Sequence, residues 1–335
     1  MAWPGCCPSS ASARAATEVR LRQVSFEQLS ERLDSADPML RLLLKVMLSR
    51  YRDVLSPGSE RPLDPNDADR QAVLMRLNLE QDLALALERG EFLLHYQPIV
   101  RLSDLRTAGF EALIRWCHPT RGQVSSADFI PVAEESELIV GLGAWALREG
   151  CAALARMAPQ GDQFMSVNLS GRQLTQGNDL VQTVSMAALG AGVDPSRIKL
   201  EVTESLLLGD FERAIAVLGA LRDAGFRNVV DDFGTGYSSL SYLHRLPVHT
   251  LKLDQSFVFR IVEDAASRKI VAAIRALAQA LGMEVVAEGI ETAAQAQLLR
   301  QMGFEYAQGY YFSRMVAEAE AAPLVSHQWT LPNPS

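Results

Sequence analysis

Two adjacent carboxylates, Asp231 and Asp232, open the run DDFGTGYSSL. A neighbouring acid pair can hold two divalent cations, one through each side chain or with one carboxylate bridging them. Further acids and amides recur along the chain at the ends of short apolar runs. Glu111 and Arg115 lie in TAGFEALIRW, Asn168 in FMSVNL, Glu201 in RIKLEVT, Lys252 and Asp254 in TLKLD, and Glu288 in EVVAE. Gln97 lies in LLHYQPI and Gln308 in EYAQG. Taken singly, each has an ordinary explanation. A Glu near a strand end is usually solvated, an Asp pair usually caps a turn, and a strand Lys usually snorkels to the surface. Gathered at one place, Glu111, Glu201, Asp231, Asp232 and Glu288 would carry five negative charges, with Lys252 and Arg115 as the evident counterions. Burying that much charge requires cations. An all-oxygen donor set suits Mg²⁺ or Mn²⁺ rather than zinc. Paired metals of this kind serve in-line displacement at phosphorus.

The elements that would gather these residues are legible. Eight strand-like runs, including FRNVVDD beside those already named, alternate with amphipathic helical stretches between about residues 71 and 324. Phe211 to Ala224 repeats apolar residues at helical spacing and stops before Gly225, a helix C-terminal signal. Arg268 to Leu281 places Ile270, Val271, Ile274, Leu277 and Leu281 on one face. Eight strands over about 250 residues is the arithmetic of a TIM-like (β/α)₈ barrel, whose chemistry sits at the C-terminal strand ends. A doubly wound open sheet has a similar strand count. The absence of a GxGxxG or P-loop pattern argues against a nucleotide-binding version of it. The first two strands are joined by a few residues around LSDLR, too few for a crossover helix, so they should pair antiparallel. The expected class is therefore α/β: a barrel with an antiparallel first strand, preceded by a short helical amino-terminal segment.

Composition narrows the function. The chain has 335 residues, 32 Lys and Arg against 40 Asp and Glu, and a net charge of −8. That balance argues against a general nucleic-acid binder working by phosphate neutralisation. It leaves room for a small phosphorylated ligand whose charge a metal offsets. Cys6 and Cys7 lack zinc spacing, and Cys117 and Cys151 read as buried small hydrophobes. The five histidines show no metal-ligand spacing. The Asp-Phe-Gly of DDFGTGYSSL lacks the other kinase motifs; Gly234 and Gly236 instead permit a mobile turn beside the acids. No run of about 18 uncharged apolar residues suggests a membrane span, and the start lacks the basic and apolar regions of a signal peptide, so a cytoplasmic protein is expected.

The ordered series YQPIV, EALIRW, HPTRG, FIPVAEE, SVNLS, LEVTES, DDFGTGYSSL, LKLDQSFV, VVAEGIET and AQGYYF resembles the EAL domain family over about Leu77 to Leu324. The resemblance implies a barrel phosphodiesterase that hydrolyses cyclic di-GMP to linear pGpG. It implies that Glu111, Asn168, Glu201 and Asp231 ligate one Mg²⁺ or Mn²⁺, and that Asp231 and Asp232 ligate a second. Glu288 resembles the candidate general base, and Lys252 the residue that positions the attacking water. Gln97, Leu113, Arg115, Asp254 and Gln308 resemble substrate-binding positions. Glu204 resembles the anchor of the DDFGTGYSS loop, which in the family couples the site to a homodimer interface. Met315 and Asp128 depart from the family's usual proline and glutamate. No metal or base position is lost.

The expected organisation is a helical segment over 1–55, a Pro-, Ser-, Asp- and Arg-rich linker over 56–70, the EAL domain over 71–325 and a tail over 326–335. In the first segment, Leu40, Leu43, Leu44, Met47 and Tyr51 form an apolar stripe that should pack on a partner. This segment resembles the end of a cyclic-nucleotide-binding domain, with Ser9 about where its phosphate-binding arginine would fall. It reads as a truncated remnant whose helix mediates dimerisation; an unrelated helical stalk is the other reading. For the barrel itself, two alternatives to the enzyme are a non-catalytic cyclic di-GMP receptor and a metal-dependent barrel acting on a carboxylate substrate.

Overall fold

The computed structural model describes residues 66–234 and 243–332. The chain divides into two compact units, one up to Met75 and one from Arg76 onward. The expectations for residues 1–55 lie outside the described residues. Helix α1, Asn66–Arg89, begins inside the stretch read as a linker. It ends at Gly90, whose positive φ of 69° turns the chain into the first strand.

The second unit is the expected barrel. Strands β1 (Phe92–Arg101) and β2 (Arg106–His118) form an antiparallel hairpin. The short β3 (Gly122–Val124) folds back on the end of β2. Helices α2 (Ser126–Glu135) and α3 (Leu138–Met157) lead to β4 (Phe164–Asn168). Then follow α4 (Asn178–Ala191), β5 (Ile198–Thr203), α5 (Phe211–Asp223), β6 (Arg227–Phe233) and β7 (Thr250–Leu253). Helix α6 (Ala265–Ala280), β8 (Glu284–Ala287), α7 (Ala293–Gln301) and β9 (Tyr306–Ala307) complete the series. The spatial order is β1-β9-β8-β7-β6-β5-β4-β2, and the β1–β2 pairing closes it. All pairs from β2 through β4 to β9 are parallel; β1 is antiparallel to both its neighbours.

Each strand turns alternate residues inward and outward. Outward residues such as Ala112, Val167, Leu200, Val202, Leu251 and Val285 join the helices in the large core. Inward residues build two layers. The lower one contains Phe164, Lys199, Thr250, Glu284 and Tyr306. A Cβ at Gly109 would lie 2.5 Å from the Phe164 ring, so the small residue there makes room for that floor. The upper layer carries the acids.

Two details differ from the sequence reading. Ile270 is exposed although its neighbour Val271 is buried, because the apolar face of α6 is narrower than its composition implied. Cys117 is exposed rather than buried, since it faces out at the β2–β3 hairpin; Cys151 is buried as expected. Helix α3 is long and apolar enough to cross a membrane by length and composition. Its Ile139, Leu142, Leu147 and Leu154 are instead packed inside the domain, as in the core helix of a globular protein.

Candidate active site

Lys252 stands at the centre of the upper layer with its side chain 2% exposed. Its ammonium lies 2.8 Å from Glu201 Oε2, 2.8 Å from Glu288 Oε1, 3.2 Å from Asp231 Oδ1 and 3.3 Å from Glu111 Oε2. Four strands thus converge on one cation. β2 supplies Glu111, β5 Glu201 and β6 Asp231, while Glu288 directly follows β8. Around them, Asn168 Nδ2 donates to Glu111 Oε1 at 3.0 Å, and Gln308 Nε2 donates to Glu111 Oε2 at 2.7 Å and Gln97 Oε1 at 2.9 Å. Ser166 Oγ donates to Glu201.

Asp231 and Asp232 owe their common direction to a backbone irregularity. In a regular strand, consecutive side chains point to opposite faces. Here the β6–β7 register shifts between Val230 and Phe233, and Asp232 takes a left-handed φ of 53°. A non-glycine residue rarely accepts that conformation, and it costs about 1–3 kcal/mol where it occurs. The result is that Asp231, Asp232 and Glu288 each offer a carboxylate oxygen within 4.8 Å of the others.

The protonation behaviour follows from the charge count. Five carboxylates face one buried ammonium, an excess of four negative charges. Burial and the charges of Asp231 and Glu111 push Glu288 up to about 7, against the pull of Lys252. Burial, with Glu111 and Asp231, raises Glu201 well above the usual carboxylate range. Burial, then Asp231 and Asp254, raises Asp232. Glu111 alone is lowered: burial opposes its charge, but Lys252 and the amides of Gln308 and Asn168 outweigh it. Burial likewise opposes the Lys252 charge, and its four carboxylates overcome that and raise it well above the usual lysine range.

A metal fits this donor set. The ligating atoms are hard oxygens, and two divalent cations would cancel an excess of four negative charges. Gln308 Oε1 is buried without a hydrogen-bond partner, an unmet acceptor beside the acids. Asp231, Asp232 and Glu288 bring carboxylate oxygens close enough together to share an ion, and Glu111 and Glu201 meet Asp231 around the same ammonium.

Four of the expected residues lie outside the cluster. Arg115 is half-buried at the rim, where it donates to the Ile114 carbonyl at 2.7 Å and touches Met315 Sδ. Burial holds its guanidinium below the ordinary arginine value. Leu113 is half-buried one strand step above Glu111. Asp254 caps the short helix Gln255–Val258 by accepting from Ser256 N at 3.0 Å. Glu204 is buried and accepts from Gly234 N at 3.0 Å, at the entry to the glycine-containing loop. Residues 235–242 of that loop, including Gly236, are outside the described residues. Ser166 went unread in the sequence. Its signal was its place two residues before Asn168, on the same strand face.

The chain matches the EAL domain family over residues 80–315. It is 41% identical over 241 residues to the bifunctional diguanylate cyclase/cyclic di-GMP phosphodiesterase MucR of Pseudomonas aeruginosa, covering 71% of this chain and 35% of MucR. The phosphodiesterase structure of PaMucR in complex with c-di-GMP superposes with a TM-score of 0.69 at 40% identity, covering 73% of this chain and all but 1% of that one. The cGMP-bound EAL enzyme Bd1971 has a TM-score of 0.78 at 34% identity, over 90% of this chain and 80% of its own. Klebsiella pneumoniae BlrP1, in a complex with manganese and cyclic di-GMP, has a TM-score of 0.61 at 32% identity, over 68% and 57%. The curated relatives are longer proteins, of which this chain spans 29–39%. With its closed barrel, its ordered motifs and this match, the chain belongs to the EAL domain family.

Proposed function

We propose that the chain is a metal-dependent phosphodiesterase that hydrolyses cyclic di-GMP to linear pGpG. The observation that carries this is the gathering of five carboxylates about one buried lysine at the C-terminal end of the barrel. Relatives named as cyclic di-GMP phosphodiesterases, and a PaMucR structure with c-di-GMP, support the substrate.

Bound divalent cations would neutralise charge on the phosphoryl oxygens and make a water more acidic. The chain's own residues do the rest. Gln97, Leu113, Arg115, Asp254 and Gln308 hold the dinucleotide around the mouth of the barrel, with Arg115 directed at phosphate charge. Glu288 accepts a proton from the attacking water, a task open to a carboxylate held at the edge of the acid cluster beside Asp231 and Asp232. Lys252, 2.8 Å from Glu288, orients that water and stabilises negative charge as it spreads over the phosphoryl group. The water oxygen bonds to phosphorus as its proton passes to Glu288, the bond from phosphorus to the ribose 3′ oxygen breaks, and that oxygen takes a proton from solvent, to which Glu288 later returns its own. The product carries a 5′ phosphate.

We further place the chain in the cytoplasm as a homodimer with Mg²⁺ or Mn²⁺. The amino-terminal piece we propose to be a cyclic-nucleotide-binding remnant; the match of the cGMP-bound EAL enzyme Bd1971 over 90% of this chain supports that reading. The test of function is incubation of purified chain with cyclic di-GMP in Mn²⁺ and in EDTA, with products separated by chromatography. Metal-dependent pGpG is the expected result. Tight binding with no product in either condition would make the chain a receptor instead.

A further inference from the structure

Arg115 sits where β2 is least supported. β2 pairs with β4 only through Gly109–Ala112 and with β3 only through Trp116–His118. Between them, Leu113–Arg115 have a strand partner on one side alone, the antiparallel β1. Among the described residues, no carboxylate pairs with the Arg115 guanidinium. Its guanidinium meets the Ile114 carbonyl of its own strand and the weak acceptor Met315 Sδ, so its location depends chiefly on what fixes the end of β2.

That end is fixed from the outer face. Trp116 follows Arg115, points to the opposite side and is fully buried. Its indole N–H donates to Glu91 Oε2 at 3.0 Å, and the Cys117 amide donates to the Glu91 carbonyl at 2.9 Å. One residue thus holds both the side chain and the backbone just beyond Arg115. The Trp116 ring packs on Phe92 and Phe129, with centroids 5.7 Å from each. With Leu83, Ala86, Ile139 and Leu142 these form a core separate from the main one. Leu83 and Ala86 come from α1, and Asp82 on the same helix bridges Arg121 in the β2–β3 turn at 2.8 Å. The last turns of α1, Glu91 and the end of β2 are one connected body.

We propose that Glu91 is a positioning residue for Arg115, and that through it helix α1 sets the chain's affinity for its anionic substrate rather than its turnover. The acids that perform hydrolysis hang on strands that α1 does not grip, apart from Glu111, which lies within the stretch doubly supported by β1 and β4. A displacement of α1 would reach Arg115 first. The proposal rests on the phosphodiesterase reading of the site.

The experiment compares wild type with Glu91→Ala and Glu91→Gln. Amide hydrogen exchange over residues 113–118 is measured alongside kcat and KM for cyclic di-GMP in Mn²⁺. Loss of a hydrogen bond to a charged acceptor predicts, for Glu91→Ala, exchange at 113–118 and KM each rising about tenfold while kcat stays within about twofold. Glu91→Gln keeps a carbonyl acceptor for the indole and should recover most of both. An unchanged KM in Glu91→Ala would overturn the proposal, as would a fall in kcat at constant KM or equal losses in both variants. If wild type neither binds nor cleaves cyclic di-GMP, the functional reading falls separately. Unchanged exchange at 113–118 in Glu91→Ala would still overturn the positioning role. Melting temperatures identify a variant that fails to fold, in which case Glu91→Gln against wild type decides.

Discussion

Two lysines are buried inside one barrel, at opposite ends, and they are there for different reasons. Lys199 at the lower end meets one carboxylate, Glu284, at 3.0 Å, with Thr250 Oγ1 at 3.3 Å and the rings of Phe164 and Tyr306 at 4.1 and 4.9 Å. Glu284 also accepts from Tyr306 and Thr250, so the lower end is balanced in charge and its carboxylate is well satisfied. Lys252 at the upper end meets four carboxylates, with a fifth close by. The lower pair holds the fold together. The upper cluster is incomplete without more positive charge, and this imbalance marks it as the functional end.

The largest expected effect tests the upper lysine. Lys252→Met should cut turnover of cyclic di-GMP about a thousandfold, measured in Mn²⁺, because among the described residues no other cation is buried between these carboxylates. Near-normal turnover would remove Lys252 from the mechanism. At the lower end, Glu284→Ala should leave turnover per folded molecule unchanged and cost about 2–3 kcal/mol in denaturant unfolding. A value below the roughly 3–5 kcal/mol for breaking a fully buried pair applies because Glu284 is partly open to solvent. A catalytic defect without a stability loss would erase the distinction between the ends.

Asp232→Asn should do the reverse. Removing one of the excess charges, at a strained position, should stabilise the metal-free protein by about 1 kcal/mol while lowering metal-dependent turnover. Unfolding of the metal-free variant beside wild type checks the sign. The smallest effect is one of pH. Glu288 is raised in the folded state, so it binds its proton more tightly there than in the unfolded chain. Metal-free stability should therefore rise as pH falls from about 7 toward the ordinary carboxylate value near 4.5. Saturating Mn²⁺ should flatten that rise. Glu284 has the opposite sign. Burial disfavours its charge, but Lys199 holds it low, so its contribution is intact above about 4.5 and is lost as pH falls through its lower folded value.

Much of this was legible in the sequence. Eight alternating runs matched the eight strands of the barrel, and the short LSDLR connection gave the antiparallel β1–β2 pair. Polar residues at strand ends identified each of the four carboxylates that now contact Lys252. What was not legible depends on backbone detail or on distant partners. The sequence Asp-Asp does not reveal the register shift and left-handed Asp232 that turn both carboxylates the same way. Lys199 was missed because a strand lysine ordinarily reaches water. Its clue was the two-residue spacing to Glu201, which puts both on the inner face. Glu284 and Tyr306 belong to strands remote in sequence, and nothing local announces their meeting with Lys199. The grip of Glu91 on Trp116 is hidden in the same way.

The most direct measurement is hydrolysis of cyclic di-GMP by wild type and Glu288→Ala side by side, with binding followed by calorimetry. Removing the proton acceptor should cost at least about a hundredfold in kcat while leaving the dissociation constant within a few-fold, because Glu288 is placed to meet water rather than to grip the dinucleotide. Full turnover in Glu288→Ala, or loss of binding equal to the loss of turnover, would contradict the role given to this end of the barrel.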